Sequence, residues 1–191
     1  MGNCIDTIPI ENLDSCPSDE TVAGIMEVGV YGAPVRDFVS IEKPSSFETA
    51  LDNEGLATIV AAHIFKLDKG FHKLDFIPFT GMVESVQIGE AGNLSFQNSI
   101  AGQIKGTNAR VAGYFRRYKN EAMIYVVKEK NGDIKQLGSE LSPAYITEVA
   151  ATSGAKAGDL KSTTVKILDS QSYMAPNYGG AIQEWPAPAP V

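Results

Sequence analysis

The sequence predicts a mainly β fold of the α+β type: a sandwich or barrel of about eight strands with one short flanking α-helix. Three observations carry this. Apolar residues alternate, or form short continuous runs, between turn signals along most of the chain. Only one stretch has helical spacing. Asn131-Gly132, set between two apolar runs, is a strong two-residue hairpin signal because both residue types tolerate positive φ.

Composition fits one such domain. With 191 residues, 43% of them hydrophobic, the chain can bury a sizeable core. A formal net charge of −7 argues against tight nucleic-acid binding, which rests on Lys and Arg neutralising phosphates, and against an anionic membrane surface. No apolar run is long enough for a membrane-spanning helix. The start "MGNCIDTIPIENLDSCPSDE" has no basic region and no long apolar run, so no signal peptide is expected. "MGNCID" is similar to a myristoylation start, but Asp6 stands where Ser or Thr is required. Cys4 and Cys16 are too few for a disulfide scaffold and wrongly spaced for a zinc knuckle. They read as two free thiols or as one disulfide closing the arm.

In chain order, residues 1–23 are a polar arm, 24–182 a single domain and 183–191 a proline-rich tail. Arm and tail are expected to pack on something, with neighbouring subunits the natural candidates. "GIMEVGVYGAPVRDF" (Gly24 to Phe38) reads as a strand interrupted at Pro34. Residues 39–56 are a long polar loop, and loops of that length usually carry function or contacts. "ATIVAAHIFKL" suits a strand or a buried helix, and its β-branched residues favour the strand. "FHKLDFIPFTGMVESVQIG" alternates, with Phe71, Lys73 and Asp75 against His72, Leu74 and Phe76. "NLSFQNSIAGQIKG" alternates again, with breaks at Asn98 and Gly102.

The helix follows. Val111, Tyr114, Phe115 and Tyr118 fall on one face, Thr107 or Asn108 caps the start, and Arg116, Arg117 and Lys119 suit the negative end of the helix dipole. "AMIYVV" (Ala122 to Val127) is apolar on both faces, which predicts a strand covered on both sides. Lys130 and Asp133 flank the turn as a cross-strand pair. "AYITEVAATSG" and "STTVKILDSQSYM" are two further strands around "GAKAGD".

No catalytic set emerges, and no enzyme activity, cofactor or metal is expected. His63 lies in an apolar run and His72 in an alternating strand, both positions suited to structural histidines. H-x-x-x-H, G-x-S-x-G and the phosphate-cradling spacing are absent; in "GAKAGDLKS" Lys161 lies three residues past Gly158. The Arg116-Arg117-Lys119 cluster reads as a helix end facing solvent or an acidic neighbour, ahead of the alternative of a nucleic-acid contact. Trp185, the only tryptophan, is either part of a tail folded back on its own domain or a subunit anchor in a neighbour.

Three stretches carry a resemblance. "FHKLDFIPFTGMVES…GEAGNLSFQNSIAGQIKGTNARVAGYF" is a strand pair feeding a short helix through a Gly-Thr corner. "AMIYVVKEKNGDIKQLGSE" is an apolar hairpin closed by Gly. "ATSGAKAGDLKSTTVKILDSQSYMAPNY" is a strand pair leading to proline. Together they resemble the tail-tube (major tail) proteins of long-tailed bacteriophages, in the form seen in phages of Bacteroides-like hosts, over roughly residues 24–180. Where that family usually has Pro-Gly-Thr before the helix, this chain has Lys105-Gly106-Thr107. The Cys-containing arm and the PAPAP tail have no counterpart.

The resemblance implies a structural virion protein made in the host bacterial cytoplasm. It implies a homo-hexameric ring joined by sheet edges, stacked into a tail tube through which DNA passes during ejection without specific binding, with other tail or neck proteins as partners and no membrane. The loop residues Lys43, Pro44, Phe47 and Leu51 become candidate inter-ring contacts. Glu84 and Glu90 become candidate lumen charge, or are an ordinary solvated hairpin tip. Alternatives are a β-sandwich binding or adhesion module, and a related tail-terminator or neck ring.

Overall fold

The computed structural model describes residues 8, 11–13, 22–156 and 158–186. Both cysteines and the tail beyond Pro186 lie outside them, and with them the reading of the arm's thiols. In order, the elements are β1 (Ile25–Pro34), a 3-10 turn (Val35–Asp37), β2 (Phe38–Ser40), α1 (Asn53–Ala57), β3 (Thr58–Ile59), β4 (Ile64–Phe65), β5 (His72–Leu74) and β6 (Met82–Glu90). Then come β7 (Asn93–Lys105), α2 (Ala109–Tyr118), β8 (Met123–Glu129), β9 (Ile134–Leu137), β10 (Tyr145–Thr152), β11 (Ser162–Gln171) and β12 (Asn177–Tyr178).

The fold is mainly β, as the alternation predicts. Among the described residues it has twelve strands rather than about eight, and two α-helices rather than one. The extra strands are two- or three-residue pieces, too short to show a period. The second helix, α1, occupies the end of the stretch predicted as a loop. The Asp52 carboxylate accepts from Gly55 N at 2.8 Å and caps it, but five residues carry no apolar stripe.

The strands form two main sheets and a ribbon. A six-stranded sheet has the order β3-β12-β9-β8-β1-β5, a four-stranded antiparallel sheet the order β10-β11-β7-β6, and β2 pairs with β4. Burial follows the pleat. From β8, Met123, Tyr125 and Val127 point into the core shared with Ile100, Val165 and Ile167 of the four-stranded sheet. Ile124 and Val126 point the other way, into a second core with Phe38, Phe71 and Tyr178. Each of the five is fully buried, so β8 is covered on both faces as its apolar run predicts. Helix α2 closes one side of the first core with Phe115, while Val111, Tyr114 and Tyr118 pack at its margin. Its cap is Asn108, whose side chain accepts from Val111 N at 3.0 Å.

Three local readings are corrected. The β8–β9 connection is not a two-residue turn: Glu129 N donates to Asp133 O and Gly132 N to Glu129 O, leaving a three-residue loop in which Gly132 adopts positive φ (101°) and Asn131 does not. Asn131 Nδ2 reaches Asp133 Oδ2 at 2.9 Å, and Lys130 lies over the Phe79 ring, so the expected Lys130–Asp133 pair gives way to these contacts. The stretch from Phe71 is broken between β5 and β6, because Pro78 cannot donate to a ladder and Phe79 turns the chain with φ of 62°. Conversely, β7 runs unbroken through Asn98 and Gly102, paired with β11 from Phe96 to Lys105. Gly102 is there because Phe76 lies flat on it: an added Cβ would sit 2.2 Å from Phe76 Cδ2.

Asn98 is the centre of a buried polar network. Its Nδ2 donates to Asp169 Oδ1 (2.9 Å) and to Tyr173 O (3.3 Å); its Oδ1 accepts from Ser85 Oγ (2.6 Å) and Ala175 N (3.0 Å). All four hydrogen-bonding positions of the amide are used. Asp169 accepts in turn from Gly138 N at 2.5 Å. Burial raises the Asp169 pKa, and the Gly138 and Asn98 bonds oppose that rise. Asn98→Ala is expected to destabilise the fold by about 2–4 kcal/mol, because it strips a buried carboxylate of a donor and orphans two further groups. Urea unfolding at neutral pH checks this; a loss below about 0.5 kcal/mol would mean that water takes over the amide's role.

Candidate subunit interface

Among the described residues, two strand edges of the four-stranded sheet are long and have no strand beside them. β6, nine residues, pairs only with β7; β10, eight residues, pairs only with β11. The edges of the six-stranded sheet, β3 and β5, are two and three residues long. Short edges protect themselves, whereas long ones present rows of unsatisfied N–H and C=O groups. Apolar side chains lie along both long edges: Met82 and Val86 on β6, and Tyr145 and Val149 on β10, each 41–49% exposed. A bulge between Ile146 and Glu148 interrupts the inner pairing of β10, with Thr147 Oγ1 bonded to Lys166 O.

The face of this sheet turned away from the core is mixed, with Met82, Ile88, Leu168 and Tyr145 among polar side chains. Pairing register places Glu84, Val86 and Glu90 of β6 there with Ser99, Gln97 and Asn93 of β7, and Thr164 and Lys166 of β11 with Glu148 of β10. Glu84 and Glu90 therefore share one face and are both exposed. Glu90 lies at the hairpin tip and pairs with Asn93; Glu84 sits mid-strand opposite Ser99 and does not belong to the tip.

The loop residues divide. Phe47 and Leu51 are 72% and 87% exposed and Lys43 is exposed, but Pro44 is buried and serves its own domain. Trp185 belongs to a segment fixed to its own domain: Phe71 N donates to Gln183 O, and Trp185 N to Phe71 O. Its indole remains half-exposed.

The fold also assembles a groove of about 790 Å³ between α2 and the ends of β5 and β7. Lys73, Lys105, Arg110 and Arg117 line it, with Asp75 the one acid. The spacing around α2 indicates only the Arg116-Arg117-Lys119 cluster; of these, Arg117 alone joins the groove. Lys73 and Lys105 come from separate strands, so no local motif announces them.

Both histidines are held in structural contacts. His63 Nδ1 accepts from Glu42 N (3.0 Å), and its Nε2 lies 2.8 Å from Gln136 Oε1, an arrangement that needs the neutral Nε2–H tautomer. Its ring stacks on Tyr178. His72 Nε2 lies 2.8 Å from the Tyr114 hydroxyl and its ring stacks on Tyr118. In "GAKAGD" the Asp159 carboxylate accepts from Ala155 N and Lys156 N, so the loop's own acid fills the position an anion would take. Among the described residues no cluster of His, Cys, Asp or Glu is arranged to hold a metal, and no helix is long and apolar enough to cross a membrane. Comparison with protein-family models, curated proteins and solved structures finds no match to this chain.

Burial, then the neighbouring Arg117 charge, hold the His72 pKa down at about 4. The unfolded chain takes up this proton near pH 6.5 and the folded chain only near 4, so His72 costs nothing above 6.5 and destabilises progressively as pH falls toward 4. His72→Gln should therefore reduce the loss of stability between pH 7 and pH 5 by about 2 kcal/mol relative to wild type. Urea unfolding of both proteins at the two pH values checks it. Equal losses would show that His72 is readily protonated in the fold.

Proposed function

We propose that this chain is a structural subunit whose copies join edge to edge into a ring, and whose rings stack into the tail tube of a long-tailed bacteriophage. The observation that carries the reading is the pair of long edges at opposite sides of one sheet that no strand covers among the described residues. Each adjacent pair in the order β10-β11-β7-β6 is antiparallel, so β6 and β10 run in opposite directions. When copies are related by rotation about an axis along the strands, β6 of one therefore meets β10 of the next as an antiparallel pair. The alternation continues across every joint, and a closed ring has no edge left.

On this reading the outer face becomes the wall of the channel. Its Ser, Thr, Gln and Asn side chains offer no concentrated positive charge, and Glu84, Glu90 and Glu148 outnumber Lys166, while Lys105 at the end of β7 lines the groove. Such a wall lets DNA slide, because it neutralises few phosphates. The structural roles of His63 and His72 fit a subunit that performs no chemistry. The resemblance of the helix and hairpin stretches to tail-tube proteins suggests six copies per ring.

Met82→Lys/Val86→Lys places two charges on the β6 edge at exposed positions. The variant should remain folded, with a far-ultraviolet dichroism spectrum like wild type, and yield particles near 20 kDa where wild type gives rings or tubes by negative-stain microscopy. Rings of normal diameter from the variant would remove β6 from the contact. Wild-type particles that stay near 20 kDa at every concentration would instead favour a monomeric binding module.

A further inference from the structure

The exposed loop and the basic groove lie at opposite ends of the same strand. Lys43, Pro44 and Phe47 flank Phe96 near the start of β7; the groove begins at Ile104 and Lys105, at its end. Between Phe96 and Lys105 the strand is continuous, which separates the two features by about 30 Å along its axis. Their chemistry is complementary. The loop carries Glu48, Asp52 and Glu54, all exposed, beside Phe47 and Leu51. The groove sets its four cations around the half-buried rings of Tyr114 and Tyr118. None of those cations forms an ion pair among the described residues, where the ion pairs are Arg36–Glu121 and Lys69–Asp37. Four such charges gathered in a concave site, on a chain of net charge −7, mark it as a receptor for an acidic group.

We propose that the loop 43–54 of one copy docks into the groove beside α2 of a second copy. Phe47 and Leu51 lie on the tyrosines, and Glu48 and Glu54 face Arg110 and Arg117. The inference deepens the tube reading and rests on it: edge pairing runs across the strands, while this contact runs along them and stacks one ring on the next. A knob and a socket at opposite ends of one axis make a head-to-tail contact, which extends without limit. Like-charged approach, loop to loop or groove to groove, is disfavoured, so the same residues fix the polarity of the stack.

A charge exchange tests the contact. Arg110→Glu/Arg117→Glu reverses the groove, and Glu48→Lys/Glu54→Lys reverses the loop while leaving the Asp52 cap in place. Each variant alone meets like charge with like and should stack at least about tenfold more weakly than wild type by sedimentation, equivalent to about 1.4 kcal/mol. An equimolar mixture offers an acidic loop to a basic groove and a basic loop to an acidic groove, and should recover most of the stacking. So should one chain carrying both reversals. Thermal melts confirm that each variant folds, and Phe47→Ser/Leu51→Ser, which leaves every charge unchanged, should weaken stacking as well. Variants that each stack as wild type does would overturn the proposal, as would folded variants whose mixture fails to recover. Wild-type rings that never stack would overturn it while leaving ring formation intact. Head-to-tail pairs in the mixture without rings would support the docking and count against edge closure.

Discussion

The Asp169 carboxylate is buried, and among the described residues no Lys or Arg pairs with it. Its charge is held by donors alone: Gly138 N, the Asn98 amide and, at 3.4 Å, Gln171 Nε2. Asp169 and Asn98 are facing partners on β11 and β7, while Gly138 follows β9 in the other sheet. The carboxylate is therefore a polar joint between two apolar layers. A one-residue slip of β11 would turn it out to solvent, expose Val165 and Ile167, and leave Asn98 without its acceptor. The network thus fixes which face of the four-stranded sheet is outside, and with it the placement of Glu84, Glu90 and both open edges.

That dependence explains what was legible in the sequence. Where one physical requirement dominates a segment, the residues announce it. Burial of β8 on both faces needs an unbroken apolar run, and "AMIYVV" is one. Closing a core with a single helix face needs apolar residues at helical spacing, and Val111, Tyr114, Phe115 and Tyr118 supply them. Asn98 and Gly102 read as strand breaks because local propensity disfavours both residue types. Each is instead a tertiary solution, one satisfying a carboxylate from β11 and the other making room for Phe76. A polar residue and a glycine on the inward face of an alternating strand are better taken as signs of a network and a close contact than as an end.

The candidate interface was less legible, for a different reason. An edge is a property of sheet order, and nothing in "MVESVQIGE" or "YITEVAAT" says that no other strand lies alongside. The groove is harder still, since its cations come from β5, the end of β7 and α2. The loop was half legible. Its polarity and length indicated exposure, correctly for Phe47 and Leu51, while Pro44 was absorbed into its own domain.

Two long edges and a net negative charge pull in opposite directions in the proposed assembly. Long edges invite pairing with any strand. The charge of −7 on every copy opposes approach at low ionic strength and is screened beyond about 8 Å at physiological salt. The bulge at Thr147 kinks the β10 backbone and limits how much of that edge one partner can pair with. β6 carries no such interruption along its nine residues. Two β10 edges would set two bulges against each other, whereas β6 against β10 brings in only one. In the proposed ring the two unlike edges meet head to tail, and a head-to-tail joint is the kind that closes.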